Sequence, residues 1–446
     1  MFPHNRIEPH GINLVRDTFV SRLSLHALTF LCNVLIARLL GPEGKGIVTL
    51  SLFWSFLLAN FSTFGTENGF IYFSSREPAS LKRFISLALI LAITVGGVVG
   101  GAFGALMMVT NLFENTLMVT LASGMVPLYV ATLLISSAFT GVGLLKLVNL
   151  SLIASWIFIL GILVCLSYWN AACPESVLVV YATGQAVHIS ILLYYSKRPR
   201  LVMPKKQLPL LGRTEAIFAY SLKTFPGALS SLLQLSSIML ILGFVSGKHE
   251  VGIYSVAASF INVLCLLPIA VGTVLMPRLA YIESSKAVRT TGVAIRVSLL
   301  ATLLLATLTS MVASFLIPWI YGLAFSHSVV VIYVMIPAAL TYSMSKVIST
   351  YFNGINKPWV SSLGSLFGFF TVCISGIFLG ARWGSLGAGV AMTLASLCSS
   401  VWLIAKFCIA NQISLGEVLL PRFSDINMVI RVTKPLWVFN RFFKNY

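Results

Sequence analysis

Charge is scarce in this chain. Of 446 residues, 9% are Asp, Glu, Lys or Arg, and twelve are acidic, whereas soluble domains carry about 25% charged residues. That shortage excludes an ordinary water-soluble enzyme. No two acidic residues lie paired inside an apolar run, so general acid–base chemistry has no seat there. The histidines at 4, 10, 26, 188, 249 and 327 are scattered without metal-ligand spacing. The cysteines at 32, 165, 173, 265, 373, 398 and 408 form no CxxC pair and read as small apolar packers. There is no P-loop and no large external loop of the kind a membrane glycosyltransferase or polymerase displays. The reading is therefore not an enzyme, with no catalytic residue, metal or cofactor expected. No cleavable leader is expected either: polar residues run out to Arg22, and the first long apolar run is a full span.

What is present is apolar length. Hydrophobic residues make up 58% of the chain and the mean hydropathy is +0.94. A membrane span takes about 20 mostly apolar residues, and only helices or closed barrels satisfy the backbone in lipid. The runs are long and do not alternate, so they are helices. Twelve spans are expected, at roughly 18–40, 47–73, 84–109, 116–140, 147–169, 176–195, 216–245, 253–277, 293–318, 328–352, 359–380 and 385–408. The net charge of +18 raises the question of nucleic acid, but the basic residues alternate loop by loop. With both termini in the cytoplasm, Arg38, Lys45, Lys248 and Arg382 lie outside, and the other 26 of 30 lie at or near cytoplasmic ends, as the positive-inside rule demands. The partner is a membrane, not a nucleic acid. Trp169, Trp319, Tyr321 and Trp383 fall at outer ends, like an aromatic belt.

The chain is organised around ARLLGPEGKG, residues 37–46. Arg38 closes the first span, Gly41-Pro42 stops its helix, and the glycines let the chain re-enter at once. The element recurs as SGKHEVGI at 246–253, with Gly41 and Gly46 answered by Gly247 and Gly252 at an offset of 206. ISSAFTG at 135–141 is echoed by ISTYFNG at 348–354, at an offset of 213. Two matches in one order at nearly one offset indicate an internal duplication. The expected organisation is a six-helix bundle at 1–196, a basic cytoplasmic linker at 197–213, a second six-helix bundle at 214–410 and a cytoplasmic tail at 411–446. An even number of spans per half makes the repeat parallel, and the interface of such repeats holds the transport site.

The arginine, apolar step and Gly-Pro-x-Gly-x-Gly after the first span resemble the polysaccharide-biosynthesis, O-antigen-type flippases of the multidrug/oligosaccharidyl-lipid/polysaccharide (MOP) exporter superfamily. GKHEVGIYSVA (247–257) and YFNGINKPW (351–359) resemble that family's seventh-to-eighth-span turn and the end of its tenth span. The resemblance implies an all-α polytopic fold of two parallel six-helix bundles around a V-shaped cavity with alternating access. It implies a bacterial inner-membrane transporter that flips a polyprenyl-pyrophosphate-linked oligosaccharide, an O-antigen or exopolysaccharide repeat unit. Polysaccharide-assembly proteins are then possible partners. The alternatives are a drug exporter or peptidoglycan-precursor flippase of the same superfamily, then a membrane enzyme of polysaccharide assembly. One departure stands out: where relatives often carry an acidic residue early in the seventh span, this chain has Gln234, Ser236 and Ser237.

Ionisable groups within spans are functional candidates, because lipid exposure costs several kcal/mol. Glu67 lies in NFSTFGTENG (60–69), the most polar part of the second span, which reads as a locally broken helix facing a wet cavity. The competing reading puts Glu67 at the cytoplasmic interface or in a structural pair with Arg22 or Arg76. Arg22, Lys223, Arg296 and Lys346 enter from the cytoplasmic side in spans one, seven, nine and ten. A pyrophosphate head suits such a cluster, Arg offering a fork of donors and Lys a mobile point charge. Snorkelling to lipid headgroups accounts for the same residues. His26 and His188, alone on apolar helices, are expected to be packed and hydrogen-bonded.

Overall fold

A computed structural model describes residues 9–76, 78–110, 115–197, 213–279, 284–355 and 357–419. Residues 198–212 of the basic linker and most of the tail lie outside these residues. The described chain is helical throughout: α1 (Pro9–Thr63), α2 (Thr66–Arg76), α3 (Leu81–Leu91), a π-helical turn (Ala92–Gly96), α4 (Gly97–Thr110), α5 (Thr116–Gly141), α6 (Leu145–Tyr168), α7 (Pro174–Ser196), α8 (Arg213–Val245), α9 (Lys248–Leu279), α10 (Ser284–Tyr321), α11 (His327–Gly354), α12 (Pro358–Asn411) and α13 (Leu415–Leu419).

Nine stretches among the described residues are long and apolar enough to cross a membrane. Two of them cross twice. α1 is interrupted at Gly41 (φ 67°, ψ −173°), a conformation open in practice to glycine alone, and Pro42 then starts the second limb. In a straight helix, residues twelve apart are separated by about 18 Å, yet the Lys45 amine donates to the Asn33 side-chain oxygen at 2.8 Å. The chain has therefore reversed. α12 does the same at Gly384 (φ 56°, ψ −132°): its Trp402 indole donates to the Val360 carbonyl at 3.1 Å, although 42 residues separate them. With α8, whose 33 residues hold the expected seventh span, these double crossings make up the twelve expected passages. The third is α3, the π-helical turn and α4 in series.

The chain falls into two compact units, residues 1–229 with 248–252, and residues 230–247 with 253–446. In the first unit, Cys32, Ile36 and Val48 from both limbs of α1 pack with Ala122 of α5, Ile159 of α6 and Tyr181 of α7. A second cluster joins Phe70 of α2, Phe84 and Ala88 of α3, Leu134 of α5, Ile189 of α7 and Ile217 of α8. The core of the second unit gathers Leu275, Ile295, Ile348, Val360, Leu403, Phe407 and Val418.

Three expectations fail at the level of single side chains. Tyr321 is no belt residue; it is 2% exposed and sits between Phe260 and Phe325, whereas Trp169, Trp319 and Trp383 are exposed. His26 is exposed rather than packed, while His188 is buried with its Nε2 2.9 Å from the Ser136 hydroxyl. Cys32 is buried and Cys408 packs against the core of the second unit, as small apolar packers would, but Cys165, Cys173 and Cys398 are exposed, and Cys173 caps α7 by accepting from the Ser176 amide.

Candidate functional site

The second span breaks where its sequence turns polar. Phe64 (φ 46°) and Gly65 (φ 73°) are both left-handed, and a bulky aromatic there costs on the order of 1–3 kcal/mol, a strain that gathers at functional sites. Hydroxyls close the broken ladder: Ser62 donates to the Leu58 carbonyl at 2.7 Å, Thr63 to Asn60 at 2.8 Å and Thr66 to Thr63 at 2.6 Å. These three side chains are buried. Three of the six polar side chains of the run are thus engaged in backbone bonds around the break. Glu67 follows in the first turn of α2, half-buried, where a carboxylate suits the positive end of the helix dipole.

α8 lies directly against this break. A methyl group added at Gly65 would come 3.0 Å from the Ser221 carbonyl, and one at Gly69 would stand 2.9 Å from an Ile217 methyl. The Phe64 and Phe225 rings meet at 5.8 Å. Lys223 belongs, by its place in the chain, to the α8 turn between Ser221 and Phe225, so the backbone brings the Glu67 and Lys223 segments together within the first unit. The side chains of Lys223, Arg22 and Arg76 lie outside the described residues.

The two candidates of the second unit differ. Arg296 is 5% exposed and donates to the Glu417 carbonyl at 2.7 Å. It thereby neutralises the end of α13, where carbonyls lack helical partners, and that bond leaves it at most partly available to a ligand. Lys346 is half-buried on α11.

A cation the sequence assigned to an outer loop proves to be buried. Lys45 is 1% exposed, its amine held by the Asn33 side chain and, at 3.5 Å, by the Asn33 carbonyl. The signal available beforehand was an amide in the first span facing a lysine across a Gly-Pro reversal. Between α5 and α7 runs a polar seam that the sequence reading also missed, with Thr132 donating to Gln185 at 3.1 Å beside the Ser136–His188 pair. Among the described residues, no three of His, Cys, Asp and Glu gather as a metal site would require.

The model of the polysaccharide biosynthesis protein family matches residues 16–283. The chain belongs to that family. The match takes in both glycine turns, the broken second span and the α8 segment against it. No curated protein matches the chain significantly. Solved structures similar to this family member include lipid II flippase MurJ in an inward closed conformation (TM-score 0.70, 13% identity, covering 93% of this chain and 92% of that one). An inward-facing MATE family multidrug resistance transporter of the MOP superfamily is similar at TM-score 0.69 and 12% identity, over 89% of this chain and 99% of that one. A MOP superfamily transporter from Pyrococcus furiosus follows at TM-score 0.58 and 12% identity, over 90% and 94%. The fold is that of the MOP transporters, and the chain is a multi-pass membrane protein.

Proposed function

We propose that the protein flips a polyprenyl-pyrophosphate-linked oligosaccharide, an O-antigen or exopolysaccharide repeat unit, from the cytoplasmic to the external leaflet of a bacterial inner membrane. Both termini are cytoplasmic on this reading, and no covalent chemistry is done. Membership of the polysaccharide biosynthesis family over residues 16–283 carries the choice of substrate class. The fold does not discriminate, since a lipid flippase and a multidrug transporter resemble it about equally. The strained break before Glu67, set against the Lys223 turn, is the local feature that suits a moving polar head. The cationic candidates for that head are Arg22 and Lys223 in the first unit and Lys346 in the second. Arg296 is better read as the clamp of α13.

The test is flipping and binding by purified, reconstituted variants of matched folding. Arg22→Ala or Lys223→Ala should weaken a lipid-pyrophosphate substrate by about 1.5–3 kcal/mol, the scale of a charged hydrogen bond. Arg22→Lys should recover part of the loss, keeping charge without the fork. Glu67→Gln should slow flipping while insertion stays normal. Full activity in the Arg22→Ala, Lys223→Ala double variant removes both residues from the site. Loss of folded protein in Glu67→Gln would assign that carboxylate to structure.

A further inference from the structure

The open end of α12 carries two lysines that the transport reading leaves unused. The helix folds back at Gly384, so its limbs, residues 358–383 and 385–411, lie antiparallel. The Trp402 indole of the second limb donates to the Val360 carbonyl of the first, and a methyl group on Gly364 would stand 3.2 Å from the Trp402 ring. Lys406 is one turn beyond Trp402, which brings it level with the start of the first limb, where Lys357 stands. Its amine lies over the Trp402 ring, 4.7 Å from the centroid, a cation–π contact that holds the charge in place. Lys357 is exposed, and among the described residues neither lysine meets a carboxylate. The N-terminus of the first limb adds the positive end of its dipole.

These two cations border an apolar face. Phe367 packs on Trp402 at 5.0 Å between ring centroids, and Phe370 and Ile374 continue its row along the limb. All three are exposed, as is Val401 of the second limb. α12 is apolar enough to cross a membrane, so this face meets acyl chains while the lysines stand at the end of the span. Snorkelling alone would leave each amine free to swing toward water, whereas Lys406 is seated on an aromatic ring.

We propose that this end of α12 is a binding site for an anionic phospholipid, whose headgroup phosphate bridges Lys357 and Lys406 while an acyl chain lies along Phe367, Phe370 and Ile374. A basic pocket between membrane helices is a setting in which such headgroups are recognised. The site needs no transported substrate, so it stands apart from the flipping reading.

The test is native mass spectrometry of the purified full chain, titrated in detergent with phosphatidylglycerol or with phosphatidylcholine. The parent should hold phosphatidylglycerol more tightly. Lys357→Gln and Lys406→Gln should each cut that affinity about fivefold, the scale of one basic residue at an anionic membrane surface, and leave phosphatidylcholine unaffected. Lys406→Arg should keep it, because arginine also stacks on aromatic faces. Trp402→Leu should lower it with both charges still present. Lys82→Gln, at an exposed lysine of the first unit, is the control and should change nothing. Equal binding of the two lipids would overturn the site, as would the same loss in Lys82→Gln, because the lysines would then be general surface charge. Competition by glycerol phosphate as effective as that by whole lipid would overturn it too, since the apolar face would contribute nothing. Displacement by equimolar polyprenyl pyrophosphate would assign the lysines to the transported lipid and end the phospholipid reading.

Discussion

In the first glycine turn the chain reverses at Gly41, and Lys45 reaches back to Asn33 of the limb it has just left. In the second, Gly247 ends α8 with its amide bonded to the Leu242 carbonyl at 3.2 Å, and the Ser246 hydroxyl reaches across to the Gly380 carbonyl of α12 at 2.7 Å. At the offset of 206, Asn33 and Lys45 correspond to Met239 and Val251, and Ser246 corresponds to Leu40. The glycines have kept their places while the fastenings have diverged. The reversal itself is thus a property of the backbone, and each polar fastening fixes one turn to a different neighbour.

The largest effect is expected from making the first turn resemble the second. Asn33→Met alone leaves a buried amine without its amide partner and should lower stability by about 1.5–3 kcal/mol. Adding Lys45→Val, which completes the apolar pairing of the second turn, should restore most of that, since replacing both partners is close to neutral. Thermal unfolding of the purified single and double variants gives the coupling directly. A double variant as unstable as Asn33→Met would mean that the amine has other work in the first unit.

Next in size is the backbone itself. Gly41→Ala places a Cβ in a region essentially reserved for glycine and should cost about 1–3 kcal/mol. Gly247 also has positive φ, 88°, and Gly247→Ala should cost about 1–2 kcal/mol. Thermal unfolding of either variant without loss would mean that its turn relaxes to accept a Cβ.

These contrasts also mark how far the sequence could be read. Twelve passages and both glycine reversals were legible because they depend on run length and on Gly-Pro chemistry, which are local. The family was legible from the same turns. Side-chain direction was not. Lys45 looked like an external loop charge because its burial depends on where the first limb of α1 lies after the reversal. Tyr321 looked like a belt residue until Phe260 and Phe325 closed on it. The polar run at 60–69 correctly marked a break, but its three hydroxyls serve nearby carbonyls of the same span. Arg296 could not be told from a ligand-binding arginine before α13 was in place, because snorkelling, capping and binding all put a cation near a span end.

Ser246→Ala should have the smallest effect and yet locates the second fastening. It removes one neutral hydrogen bond to the Gly380 carbonyl, worth about 0.5–1.5 kcal/mol. Gly380 lies four residues before Gly384, where α12 folds back, so the bond ties the end of α8 to the approach to that fold. Its loss should speed amide exchange around 380–387 and at 243–247. The first turn has its own fastening, the Lys45–Asn33 bond, and should exchange at the parental rate. Faster exchange at 41–46 in Ser246→Ala would show instead that the two turns are energetically one unit. The difference in their fastenings would then be redundancy.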